Sequence, residues 1–118
     1  MKNKIWGQTM SIDLSGCDYA LLINPKKLKE FVKKLCKEIK MISHGQPVIE
    51  RFGVGKLEGW SLMQFIETST ITAHLDEFGL RAFIDIFTCK RFNVNKAKRF
   101  CQKFFKAKKI RYRNFYRY

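Results

Sequence analysis

Apolar and polar residues alternate from the start of the chain. In "TMSIDLSG", Met10, Ile12 and Leu14 fall on one side and Ser11, Asp13 and Ser15 on the other, which predicts a half-buried strand. The period then changes. In "NPKKLKEFVKKLCKEI", Leu28, Phe31, Val32, Leu35, Cys36 and Ile39 recur at helical spacing, with Asn24 as N-cap and Pro25 at the first helical position. "QPVIERFGVG" predicts a short strand running into a glycine turn. "GWSLMQFIET" and "STITAHLDE" predict two more strands or one interrupted ribbon. "LRAFIDIFTC" is apolar on both faces and predicts a central strand. "NKAKRFCQKFFKAKK" predicts a second helix, capped by Asn95, with Ala97, Phe100, Cys101, Phe104 and Phe105 inward. "KIRYRNFYRY" alternates again and predicts a last strand with one wet face. The order β-α-β-β-β-β-α-β predicts an α+β fold: a two-layer sandwich of a mainly antiparallel sheet covered by two helices.

The 118 residues suit one small domain, 1–118, without a linker or repeat. A core of that size makes dimerisation an expectation. With 46% hydrophobic and 29% charged residues the composition is globular. No apolar run has membrane-spanning length, so no membrane partner is expected. "MKNKIWGQTM" lacks a long apolar core, so no signal peptide is read and the expected location is cytoplasmic. The four cysteines form no C-x-x-C pair and are not spaced with His44 and His74 as metal ligands. Cys36 and Cys101 read as core residues, while Cys89 sits at a strand end. The net charge of +14 raises nucleic acid as a partner. Because the lysines are spread along two amphipathic helices, a solvated surface is the preferred reading, and nucleic acid is not the expected partner.

One stretch invites a chemical question. "FIETSTITAH" places Ser69 and His74 five residues apart across a strand break, with Cys89 ending the next strand and Asp85 on the same face as Cys89. Taken alone, hydroxyls in a strand, a single histidine and a single strand-end cysteine are ordinary packing residues. The spacings together say more. Cys89, at the end of "DIFTC", follows His74 by fifteen residues, and "GWS" puts Ser61 eight residues before Ser69. "GQTMSIDLSGCD" brings Gly7, Asp13, Cys17 and Asp18. This pattern resembles the prokaryotic S-adenosylmethionine decarboxylase proenzyme family, the pyruvoyl-dependent, short single-domain type, over most of the chain.

The resemblance implies the following. The chain cuts itself at Thr68–Ser69, giving residues 1–68 (β chain) and 69–118 (α chain). The Ser69 hydroxyl attacks the Thr68 carbonyl, and β-elimination turns residue 69 into a pyruvoyl group. His74 is the candidate base, and Ser61 holds the intermediate. The ketone forms a Schiff base with the substrate amine and accepts electrons as carbon dioxide leaves. Cys89 returns the proton. The substrate implied is S-adenosylmethionine, whose product feeds spermidine synthesis, and no metal or pyridoxal phosphate is required. Short members of the family pair as four-layer homodimers. Charge and ring chemistry add Asp13 and Glu67 as contacts for a cationic substrate, and Phe52 or Trp60 as a stacking surface. Glu77 matches the family's "H-T-W-P-E" only loosely, because this chain reads "HLDE".

The sequence also departs from the family at Thr70, where histidine is usual, at Lys90, where glycine is usual, and at Thr9, where histidine is usual. These changes spare the processing residues and fall on the substrate side. Arginine or ornithine is therefore the alternative substrate. A basic nucleic-acid-binding protein that never cleaves, and a paralogue that only pairs with an active partner, are the alternatives to an enzyme.

Overall fold

A computed structural model describes residues 4–118; the first three residues of the N-terminal stretch read above lie outside them. The elements are β1 (Gly7–Ser15), α1 (Tyr19–Leu22), α2 (Pro25–Glu38), β2 (Ser43–Phe52), β3 (Gly59–Ile66), β4 (Ser69–Asp76), β5 (Arg81–Thr88), α3 (Val94–Phe104) and β6 (Lys109–Arg117). The six strands form one antiparallel sheet in the order β2-β3-β4-β5-β1-β6. The expected α+β architecture is therefore present, with β5 inside the sheet.

Local chemistry explains the boundaries. Asn24 Oδ1 accepts from the Lys26 and Lys27 amides and starts α2 at Pro25. The cap of α3 is Asn93, not Asn95: Asn93 Oδ1 accepts from the Lys96 amide, so the helix begins two residues earlier than its apolar spacing suggests. Short α1 has no apolar period to announce it and is started by Asp18, which accepts from the Ala20 amide. β2 is an edge strand with a register irregularity between His44 and Val48, where Pro47 is tolerated. Gln64, buried, donates to the His44 and Gly45 carbonyls and satisfies that irregular stretch.

Strand alternation divides the sheet into two faces. Met10, Ile12, Leu14, Ile71, Ile84 and Ile86 point to the helices and are fully buried. They meet Leu28, Phe31, Leu35 and Cys36 of α2 and Ala97 and Cys101 of α3. Phe31 is the hub of the helix seam, with Phe100, Phe104 and Phe105 ring centroids 5.9, 5.2 and 4.8 Å away. Burying one such side chain stabilises the fold by about 1.5–3 kcal/mol. Among the described residues, no layer covers the opposite face. It carries exposed Val48, Phe52, Met63, Phe65 and Phe115 among its polar residues.

Candidate active site

The uncovered face is organised by register. Arg111, Asp13, Phe83, His74, Ser61 and Glu50 stand opposite one another in turn, one from each strand, in a single row across the sheet. Within that row Ser61 Oγ and His74 Nδ1 share a hydrogen bond of 3.0 Å. Gly59 makes this pairing possible: a Cβ there would lie 2.3 Å from the Leu75 carbonyl oxygen, so only glycine lets β3 approach β4 so closely beside His74. The row crosses a cavity of about 1020 Å³, lined among others by Glu50, Phe52, Trp60, Ser61, His74 and Phe78.

Ser69 and Cys89 lie elsewhere. Ser69 opens β4 just after the two-residue turn Glu67–Thr68 and is 5% exposed. Its Oγ accepts a 2.9 Å hydrogen bond from the Cys89 amide. Cys89 Sγ lies 3.8 Å from the Glu67 carbonyl oxygen. Thr68 has φ of 54°, a left-handed conformation that costs a β-branched residue about 1–3 kcal/mol. The peptide bond next to Ser69 thus follows a strained residue.

The Cys89 thiol is lowered from its ordinary pKa, first by the neighbouring Thr68 hydroxyl; burial opposes this, and Ser69 and Lys90 add smaller lowering effects. Burial pushes the Cys17 and Cys36 thiols up to about 11, and that of Cys101 higher still. Iodoacetamide should therefore label Cys89 first in the uncleaved chain. Its rate should climb at a pH below the roughly 8.5 of a free thiol, because the reactive thiolate forms earlier when the pKa is lowered. A labelling midpoint at or above that of a free thiol would contradict this environment.

The serine, histidine and cysteine singled out in the sequence are not brought together within one chain. Five residues of antiparallel strand separate Ser69 from His74, about 17 Å. Two pairs result: Ser69 with Cys89, and Ser61 with His74. Asp85 belongs to neither, since it accepts a 2.6 Å hydrogen bond from Ser11 Oγ.

The expected substrate contacts are also redistributed. Arg51 Nη1 lies 2.8 Å from Glu77 Oε1, a close charge contact not aligned as a full hydrogen bond, and Arg51 Nε donates to Glu58 at 2.9 Å. Glu77, then Glu58, raise the Arg51 pKa and keep it charged. The same guanidinium covers the Trp60 ring at 5.5 Å. Trp60 and Glu77 are thus partnered inside the chain, whereas Phe52 is 58% exposed at the cavity. Glu67 is exposed at the turn beside Cys89, and Asp13 lies two strands from His74 at a second cavity with Arg81 and Arg111.

Two positioning residues had no sequence signal. Arg51 looks like any strand arginine. Gln8 is fully buried; its Oε1 accepts from the Phe92 amide at 3.1 Å and its Nε2 donates to Asn114 Oδ1 at 2.7 Å. It pins the loop that leaves Cys89. Gly7 adds to this, because a Cβ there would lie 2.2 Å from the Thr88 carbonyl oxygen.

Residues 8–118 match the family described as S-adenosylmethionine decarboxylase. The chain belongs to that family. Decarboxylation of S-adenosylmethionine is the activity this membership assigns to it. Among solved structures, the adenosylmethionine decarboxylase from Aquifex aeolicus VF5 is similar at a TM-score of 0.80 and 19% identity, over 98% of this chain and 92% of that one. At that identity the likeness speaks for the fold. No curated protein matches the sequence. No helix among the described residues is long and apolar enough to cross a membrane, and no cluster of three or more His, Cys, Asp or Glu side chains there is placed to hold a metal ion.

Proposed function

We propose that this decarboxylase makes its own prosthetic group by cleaving Thr68–Ser69, and that its working site is shared between two copies of the chain. The observation that carries the reading is the Ser69 hydroxyl, held by the Cys89 amide next to a left-handed threonine. The Ser69 Oγ can reach the preceding carbonyl carbon through a five-membered ring. An N–H donor aimed at that oxygen favours its alkoxide form. Relief of the Thr68 strain favours breaking the bond that follows.

The residues present fit a pyruvoyl group at position 69. Such a ketone supplies the electron sink for decarboxylation. Cys89, with its lowered thiol pKa and its backbone against Ser69, holds the proton for the substrate carbon. Phe52 offers the free ring of the cavity to a purine.

His74 is too far away to serve Ser69 of its own chain, which is the reason for the second copy. Two chains packed face to face through their uncovered sheets would bury Met63, Phe65 and Phe115 and complete four layers. His74 and Ser61 of the partner subunit would then supply the base and its hydrogen-bond partner. Residues 1–68 and 69–118 would stay together after cleavage, because β3 and β4, on either side of the cut, remain paired. The product, decarboxylated S-adenosylmethionine, would serve as aminopropyl donor for spermidine.

The substrate is tested by release of labelled carbon dioxide. The cleaved protein should release it from carboxyl-labelled S-adenosylmethionine at least a hundredfold faster than from arginine or ornithine, the kind of ratio a shaped pocket provides. Faster release from either amino acid would transfer the same chemistry to that substrate.

A further inference from the structure

Three carboxylates line the large cavity: Glu50, Glu58 and Asp76. Two of them are taken. Glu58 is paired with Arg51 at 2.9 Å. Asp76 accepts from Arg81 Nε at 2.7 Å and from the Gly79 amide at 3.0 Å. Glu77, next to Asp76 in the chain, is in contact with Arg51. The aromatic faces divide the same way, with Arg51 over Trp60 and Arg81 over Phe83 at 5.5 and 5.6 Å. Among the described residues, Glu50 alone of these acids has no cationic partner.

Its position matters as much as its freedom. Glu50 is opposite Ser61 in the row that continues to His74. Phe52, exposed and without an arginine over its ring, follows two residues later on the same side of β2. An exposed carboxylate is ordinarily a solvated one. A single unpaired carboxylate beside a free aromatic ring, in a cavity whose other acids are neutralised, has the composition of a site for an organic cation.

We propose that Glu50 is the specificity-determining residue for the positive charge of the ligand in this cavity. The inference rests on the cavity being the substrate site. In the shared site proposed above, the substrate's α-amine would be directed to residue 69 of the partner subunit, so the charge left for Glu50 would be the sulfonium. Glu50 then distinguishes S-adenosylmethionine from its neutral thioether counterpart, S-adenosylhomocysteine, which has the same adenosine and amino-acid parts.

The test uses the self-cleaved protein, comparing KM for S-adenosylmethionine with the inhibition constant of S-adenosylhomocysteine. Glu50→Gln should raise KM about tenfold at low salt, with kcat and the thioether's inhibition constant nearly unchanged. Added salt should narrow the gap between the variant and the unmutated protein. Glu38→Gln, which removes an exposed carboxylate on α2 outside the cavity, should leave the ratio as it was. An unchanged ratio in Glu50→Gln overturns the inference alone. So does an equal weakening of both compounds, which would mark Glu50 as a shape or packing residue. A cleaved protein that neither turns over S-adenosylmethionine nor is bound by the thioether overturns the reading of the cavity, and this inference with it.

Discussion

Ser69→Ala should leave a single chain spanning residues 1–118, whereas the unmutated protein should appear by intact mass as fragments meeting at Thr68 and Ser69. The second fragment should resist amino-terminal sequencing because it begins with a ketone. The expected effect is complete, since alanine has no oxygen to attack the Thr68 carbonyl and no leaving group for the elimination. Decarboxylation should be lost with it. A graded companion is Thr68→Gly. Glycine adopts a positive φ without cost, so the variant should be more stable before cleavage and should cleave about tenfold more slowly, the equivalent of some 1.4 kcal/mol of strain no longer released. If the unmutated protein and Ser69→Ala are both single chains, self-processing is wrong, and the non-cleaving alternatives replace it.

Mixing two inactive variants should restore cleavage. His74→Ala and Ser69→Ala should each remain uncleaved when made alone. Co-expressed with different tags, they should form mixed pairs in which the Ser69→Ala chain lends its His74 to the Ser69 of the His74→Ala chain. Only the His74→Ala chain should then be cut. The expectation follows from the roughly 17 Å of strand between the two residues, a gap that no rotamer closes. If the mixture stays intact while the unmutated protein is cut, His74 does not act across subunits. If His74→Ala alone is cut at the normal rate, some other group removes the proton.

The fold was legible because its signals are local. Binary alternation marks β1 and β6, and a helical stripe with Asn24 and Pro25 marks α2. The cap of α3 is not legible in the sequence, because Asn93 and Asn95 are equally good caps by type and only the amide actually bonded distinguishes them. α1 and the edge irregularity of β2 carry no period and left no pattern to read.

By itself the sequence determined the order of the strands and the two longer helices, the burial of the apolar stripes and the family to which the residue spacings belong. These follow from side-chain period and backbone propensity, both properties of neighbouring residues. Only the tertiary structure decided how the candidate residues are grouped. Strand register joined Ser61 to His74 and the Ser69 end to Cys89, and it set the two pairs at opposite ends of one hairpin. It also determined which charges are occupied, by bringing Arg51 onto Glu58, Glu77 and Trp60 while leaving Glu50 free. Those groupings depend on residues far apart in the chain, and register across a sheet cannot be read from spacing along one strand.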